Sequence, residues 1–218
     1  MVRREVLAFT TTERFVHWLT VVAFTVLLFT GLVLYLPPLS PFAIGPAGQA
    51  CRLLHRVAAI ALGLVPLIYL LFDPWGLINS MREIFTWSRS DLGWLKAALT
   101  YYFFGDEEAM PPQPRFNTGQ KLFYCIVVIS MFILGVTGLV MWLDKGTAPP
   151  LLWQWSVVLH DLAMIALTGM TMVHVVLAAI HPVMEGSILA MLTGWLPEEY
   201  VASHHAKWYE QIRRRVSE

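Results

Sequence analysis

The chain is short of the groups on which soluble function usually depends. Of its 218 residues only 14% are charged, against roughly 25% in soluble chains. Its 15 basic residues cancel its 15 acidic ones. No basic stripe stands out, so nucleic-acid binding has no electrostatic basis. The only cysteines, Cys51 and Cys125, cannot build a disulfide scaffold or a Cys-rich metal cluster. The balance of charge and apolar residues excludes disorder, coiled coil and collagen. No internal repeat or low-complexity tract is evident. What remains is apolar: 57% of the residues, with a mean hydropathy of +0.60. The expected class is an integral membrane protein, embedded in a lipid bilayer.

A crossing helix needs about 20 mainly apolar residues to span a hydrocarbon core of about 30 Å. Four stretches qualify. Residues 15–36 contain one His and no formal charge. Residues 53–72 carry His55 and Arg56 near their start and Pro66 inside. Residues 122–143 are uncharged. Residues 151–180 carry His160, Asp161 and His174. All are too long for barrel strands and lack alternation, so they read as helices. The expected fold is all-α, a four-helix membrane bundle formed as one domain over residues 1–218. Pro66 predicts a kink, tolerated where neighbouring helices satisfy the freed carbonyl. The first stretch is longer than a signal h-region, and Leu36-Pro37-Pro38 follows it instead of a small-residue cleavage site. It is expected to be retained.

With the N-terminus inside, the inner segments hold Arg3, Arg4, Arg14, Arg82, Arg89, Lys96, Arg115, Lys121, Lys207, Arg213, Arg214 and Arg215. The outer side holds only Arg52, Arg56 and Lys145. The positive-inside rule therefore places both termini inside. The inner loop, residues 73–121, is too long for a bare connection. Residues 75–104 mix Trp, Leu, Ile and Tyr with Arg82, Arg89 and Lys96. That pattern predicts one or two amphipathic helices on the inner surface, or else a small soluble cap. Residues 109–114, Ala-Met-Pro-Pro-Gln-Pro, predict a stiff linker. The cytoplasmic tail covers residues 184–218; within it residues 200–218, polar and aromatic with basic residues at the end, are expected to be helical.

The histidines carry the chemistry. An ionisable group inside a span is expensive and functional by default; a single His can also be an interhelical hydrogen bond. Here four are depth-matched. His17 opens the first span from the inside, and His55 opens the second from the outside. In the fourth span His160 lies in the outer half and His174 in the inner half. Fourteen residues separate these two, about 21 Å of helical rise, and the turn returns to nearly the same face. Each can meet one partner from the first or second span: His160 with His55, His174 with His17. Two imidazoles on opposing helices, without Cys or carboxylate, suit the axial positions of a b haem. Zinc wants three or four protein ligands, and a proton relay favours carboxylates. The expectation is two haems b per chain.

Gly31, Gly63, Gly135, Gly138 and Gly169 let flat macrocycles or neighbouring helices approach closely. Arg52 and Arg56 flank His55 and are candidate propionate partners; interfacial snorkelling is the alternative. His181 is expected to be a surface or subunit-contact residue. His204 and His205 are expected to face a partner or solvent.

Several segments resemble one family. Arg14-Phe15-Val16-His17-Trp18 opens the first span and Arg52-Leu53-Leu54-His55 the second. Phe116-Asn117-Thr118-Gly119-Gln120-Lys121 opens the third, followed by Gly135-Val136-Thr137-Gly138. His160 and His174 follow in the fourth. Gly186-Ser187-Ile188 and His204-His205-Ala206-Lys207-Trp208-Tyr209 complete the set. These cover nearly the whole chain and resemble the gamma subunit of respiratory formate dehydrogenase, a diheme cytochrome b of the cytoplasmic membrane.

The resemblance implies electron flow from an outer iron–sulfur (beta) subunit, itself fed by a catalytic alpha subunit. The route runs through the outer haem on His55 and His160 and the inner haem on His17 and His174. It ends on a quinone, menaquinone or ubiquinone, at Asn117, Gly119, Gln120 and His174, at the inner face. A higher oligomer of the complex is possible. An amide can hydrogen-bond a quinone carbonyl, and Gly119 leaves room for a ring. Asn117 is alternatively a helix N-cap, with Gln120 three residues on; the two roles are compatible. Donor oxidation would lie in another subunit. The same membrane module serves several dehydrogenases, so the donor is inherited by analogy. Nickel–iron hydrogenase cytochrome b subunits are the nearest alternative. A haem-free anchor or transporter is the alternative of a different class.

Overall fold

The computed structural model describes residues 4–106, 110–144, 146–184 and 186–217, the side chains of Val183 and Val216 excepted. Arg3, Ala109 and Lys145 lie outside these. Regular structure among the described residues is helical apart from one short strand pair, in keeping with the expected all-α fold. Its elements are β1 (Glu5–Leu7), α1 (Thr11–Tyr35), α2 (Gly45–Phe72), α3 (Pro74–Phe85) and α4 (Arg89–Phe104). There follow α5 (Thr118–Leu143), α6 (Pro150–Val175), α7 (Ser187–Thr193), β2 (Trp195–Pro197), α8 (Glu198–His204) and α9 (Ala206–Ser217).

Four helices are long and apolar enough to cross a membrane: α1, α2, α5, and α6 with its extension to Ile180. Their surfaces suit lipid. Phe29, Leu71 and Phe132 are 64%, 78% and 72% exposed, while the helix satisfies its own backbone. All four helices begin earlier than the apolar stretches, at Thr11, Gly45 and Thr118 by four to eight residues and at Pro150 by one. Helical hydrogen bonding continues into polar ends where hydropathy has already fallen. His17 is therefore the seventh residue of its helix and His55 the eleventh, deeper along each helix than the apolar stretches implied. The chain continues helically through Pro66 to Phe72.

The chain forms two compact units. One comprises Thr11–Leu77 and Ile129–Thr168. In it α1 and α2 form an antiparallel hairpin through a 3-10 turn, Pro37–Ala43. Tyr69 donates to Glu13 Oε1 at 3.2 Å, and Arg52 Nη1 donates to Ala43 O in the turn at 2.8 Å. The turn between α5 and α6 is built on Asp144, whose Oδ1 accepts the N–H groups of Gly146, Thr147 and Ala148, each at 2.9 Å. Those bonds, that of Ala148 foremost, hold its carboxyl below the usual range.

The second unit comprises Met1–Thr10, Ile78–Val128 and Gly169–Glu218. It shows what the segment between α2 and α5 does. Asp91 caps α4 by accepting the Ser88 N–H on Oδ2 at 2.7 Å. Its other oxygen accepts Thr118 Oγ1 at 2.7 Å and Lys121 Nζ at 3.0 Å, both from α5. Lys121 also donates to Thr86 O at 2.8 Å. Burial alone would push the Asp91 pKa up, but the hydrogen bonds from Thr118, Lys121 and Ser88 outweigh it and hold the pKa below its ordinary value. Trp94 lies over Gly119, where a Cβ would come within 2.8 Å of Trp94 Cη2. So α4 buries Asp91, Trp94, Ala97 and Tyr101. It exposes Leu92, Leu95, Leu99 and Phe103. An apolar outward face suits a bilayer surface and not a water-facing cap.

The proline-rich stretch is more than a linker. Gln113 is buried; its Nε2 donates to Pro111 O at 2.6 Å, and its backbone O accepts the Lys207 N–H at 3.1 Å. β1 pairs antiparallel with β2, Val6 opposite Leu196, over a small core of Ala8, Ala190, Leu196 and Val201. Three-residue strands are too short to show an alternation in sequence. His205 departs from expectation. It is 5% exposed and its Nδ1 lies 2.9 Å from Pro114 O, which makes it a core residue. His204 stacks on Tyr200 at 4.2 Å. His181 Nε2 lies 3.0 Å from Tyr102 O.

Candidate functional site

Within the first unit α2 and α6 bring His55 and His160 together, ring centroids 6.5 Å apart. The two rings are held alike. His55 Nδ1 lies 2.8 Å from Thr30 Oγ1 on α1. His160 Nδ1 lies 2.9 Å from Thr137 Oγ1 on α5. Each Thr hydroxyl also reaches the carbonyl four residues back on its own helix, Val26 O at 2.7 Å and Ile133 O at 2.6 Å, and at longer range the one three back, Leu27 O at 3.2 Å and Leu134 O at 3.4 Å. A hydroxyl has one proton. Given to the helix carbonyl, it leaves an oxygen lone pair for an imidazole N–H. Both rings then carry hydrogen on Nδ1 and a lone pair on Nε2.

The glycines after these threonines lie beside the rings, at distances where an added Cβ would make ordinary contact. A Cβ at Gly31 would lie 3.6 Å from His55 Cε1, and one at Gly138 would lie 3.4 Å from His160 Cε1. At Gly63, Gly135 and Gly169 a Cβ would meet nothing within 4 Å, so close helix packing does not account for those three. Arg56 stands over the Trp142 ring at 5.4 Å, and Arg52 is engaged with the Pro37–Ala43 turn.

His17 and His174 fall in different units. His17 meets Trp18 edge to face at 5.2 Å. His174 stacks on Phe123 at 4.4 Å, with the planes 2° apart, and no group among the described residues hydrogen-bonds its ring nitrogens. Just after it α6 widens into a π-turn, Val176–Ile180, closed by His181 N–H to Val176 O at 2.9 Å.

At the start of α5, Asn117 and Gln120 cap each other. The Asn117 N–H donates to Gln120 Oε1 at 2.8 Å, and the Gln120 N–H donates to Asn117 Oδ1 at 2.9 Å. The capping alternative is therefore realised, and it fixes both amide orientations. The oxygens face backbone donors, and the NH2 groups have no partner among the described residues.

Sequence reasoning assigned no role to Thr30 or Phe123, and Thr137 entered it only as part of a matching segment. A signal for the threonines existed. Thr-Gly occurs at 30–31 and again at 137–138, each one helix before a histidine, at separations of 25 and 23 residues.

Long apolar helices carrying intramembrane histidines, two of them facing each other, define a membrane protein of cytochrome type. The prokaryotic cytochrome b561 family model matches residues 8–194, and the chain belongs to that family. The formate dehydrogenase cytochrome b556(fdo) subunit of Escherichia coli (strain K12) is 28% identical over 221 residues, 98% of this chain and 97% of that protein. The formate dehydrogenase cytochrome b556 subunit of Haemophilus influenzae is 26% identical over 213 residues, 95% and 84% of the two chains. The nitrate-inducible cytochrome b556(Fdn) subunit of E. coli is 25% identical over 207 residues, 93% and 89%. The resemblance read from the sequence is thus shown, and the chain is an integral membrane protein of a haem b family.

The residues fit that group. Two imidazoles from opposing helices, each held through Nδ1 by a threonine hydroxyl, are the donor set a b haem takes. His55 and His160 stand at 6.5 Å, and no group among the described residues hydrogen-bonds their Nε2 atoms.

Proposed function

We propose that this chain is the cytochrome b subunit of a respiratory formate dehydrogenase in the cytoplasmic membrane. It takes electrons from an iron–sulfur subunit at the outer face, fed by a catalytic subunit, and delivers them to a quinone at the inner face. The observation that carries the reading is the His55–His160 pair, with both Nδ1 atoms engaged and both Nε2 atoms open. The choice of formate dehydrogenase rests on relatives so named that match nearly end to end.

His55 and His160 would hold one b haem. His17 and His174 would hold a second, on the 14-residue spacing along α6 and the family resemblance. When bound, haem supplies reversible one-electron transfer, which divides the two-electron reduction of quinone into single steps. The chain's own residues hold, orient and insulate. Arg52 and Arg56 lie on the turns of α2 around His55 and would offset propionate charge. Asn117 and Gln120 would bind quinone. Their oxygens are committed to the cap, so each presents an NH2 donor, the polarity a quinone carbonyl accepts. The Phe123–His174 stack offers the flat, apolar surroundings a quinone ring needs, whereas the space over Gly119 is filled by Trp94.

The test is purification of the native complex. Two b haems per chain and a co-purifying formate-oxidising subunit are expected. Gln120→Leu should abolish quinol formation while both haems still bind and are reduced by formate. One haem per chain would refute the four-histidine reading. Full quinone reduction in the Leu variant would move the quinone elsewhere.

A further inference from the structure

We infer that Thr30 and Thr137 are positioning residues for a haem on His55 and His160, fixing the tautomer and donor strength of both axial imidazoles. The inference rests on the reading of that histidine pair as haem ligands.

Three observations carry it. First, each hydroxyl bridges two groups: its own helix carbonyl at 2.7 or 2.6 Å and an imidazole Nδ1 at 2.8 or 2.9 Å. With the hydroxyl proton on the carbonyl, Nδ1 must donate, and Nε2 is left as the only ligating nitrogen. Secondly, the arrangement is built twice, by unrelated helix pairs. Thr30-Gly31 on α1 serves His55 on α2, and Thr137-Gly138 on α5 serves His160 on α6, each glycine lying against Cε1 of its ring. One such contact could be incidental packing; two on the two faces of one site form a design. Thirdly, the supporting atoms are held in turn. Thr30 and Thr137 are 8% and 5% exposed, and the Thr30 carbonyl accepts the Cys51 thiol at 3.5 Å.

The physical consequence follows from ligand basicity. An Nδ1–H that donates to oxygen makes Nε2 a stronger donor, and stronger axial donation favours ferric over ferrous iron. Removing the hydroxyl should therefore raise the midpoint potential of this haem. It should also free the ring to rotate about its bond to Cβ.

The experiment uses the purified complex with Thr30→Val, Thr137→Val, Thr30→Ser and Thr137→Ser, beside His55→Ala. Haem content, the redox titration of the b-haem absorbance and the electron paramagnetic resonance of the oxidised haems are measured. Each Val variant should shift one haem's midpoint upward and change its low-spin signal, leaving the other haem unchanged. The Ser variants should restore both. Loss of the haem in a Val variant, with its recovery in Ser, also supports the inference. Unchanged potential and resonance in both Val variants, or losses that Ser does not repair, would overturn it. His55→Ala separates the two claims. If it removes no haem, the ligand reading has failed; if it removes one while the Val variants stay silent, only the role of the threonines has.

Discussion

His205 shows how burial reverses an expectation drawn from a polar tail. Its ring sits 5% exposed between α8 and α9 and donates Nδ1–H to Pro114 O. Burial foremost lowers its pKa from 6.5, with His204 adding to the effect against the Pro114 hydrogen bond. The neutral form is thus the folded form. Above about pH 6.5 neither state binds the proton and stability is unaffected. As the pH falls below that value the unfolded chain takes up the proton first, so stability is lost on the acid side. Thermal unfolding in detergent should show the midpoint falling from pH 7.5 to pH 5.5. His205→Gln, which cannot titrate, should flatten that slope. A slope unchanged in the Gln variant would assign the acid sensitivity to another group.

At the scale of elements, the segment between α2 and α5 is defined by the join between α4 and α5. A carboxylate and an ammonium, each 5% exposed, meet at 3.0 Å, beside a glycine on which Trp94 rests. A buried pair is weak evidence for net stability, but losing one partner strands the other's charge. Asp91→Ala should therefore cost about 3–5 kcal/mol, read as a lowered unfolding midpoint. Asp91→Ala with Lys121→Met should recover much of it, because no uncompensated charge remains. If the double variant is as unstable as the single one, the loss comes from the Ser88 cap and the Thr118 bond. The join also places Asn117 and Gln120 on a braced helix end, where their amide orientations are set by the cap.

For the molecule as a whole, direction matters. The two histidine levels of α6 lie 14 residues apart, about 21 Å along the helix. Under the proposed function, negative charge moves inward over that distance. Quinone then draws protons from the inner water. Both act in the same sense, and each charge crossing the full membrane stores about 2.3 kcal/mol per 100 mV. Complex oriented in liposomes, given formate outside and quinone in the bilayer, should build a potential negative inside. A potential-sensitive dye reports it. No potential, or one positive inside, would overturn the orientation or the position of the quinone.

Class, helix number and the meeting of His55 with His160 were legible in the sequence because each follows from quantities that add along the chain. Hydropathy summed over a window marks α1, α2, α5 and α6 whatever their neighbours do. A helical period places His160 and His174 on one face from spacing alone. Even the Asn117–Gln120 cap is local, three residues wide. Other features join positions that local pattern does not connect. Thr30 meets His55, Thr137 meets His160 and Asp91 meets Lys121, at separations of 25, 23 and 30 residues. His205 reaches Pro114 across 91 residues, and β1 finds β2 from the far end of the chain. A threonine in a helix bonds its own carbonyl wherever it sits, so its sequence context does not say which imidazole its oxygen will receive. Only packing one helix against another decides that, because a buried N–H must find an acceptor on whatever surface arrives beside it.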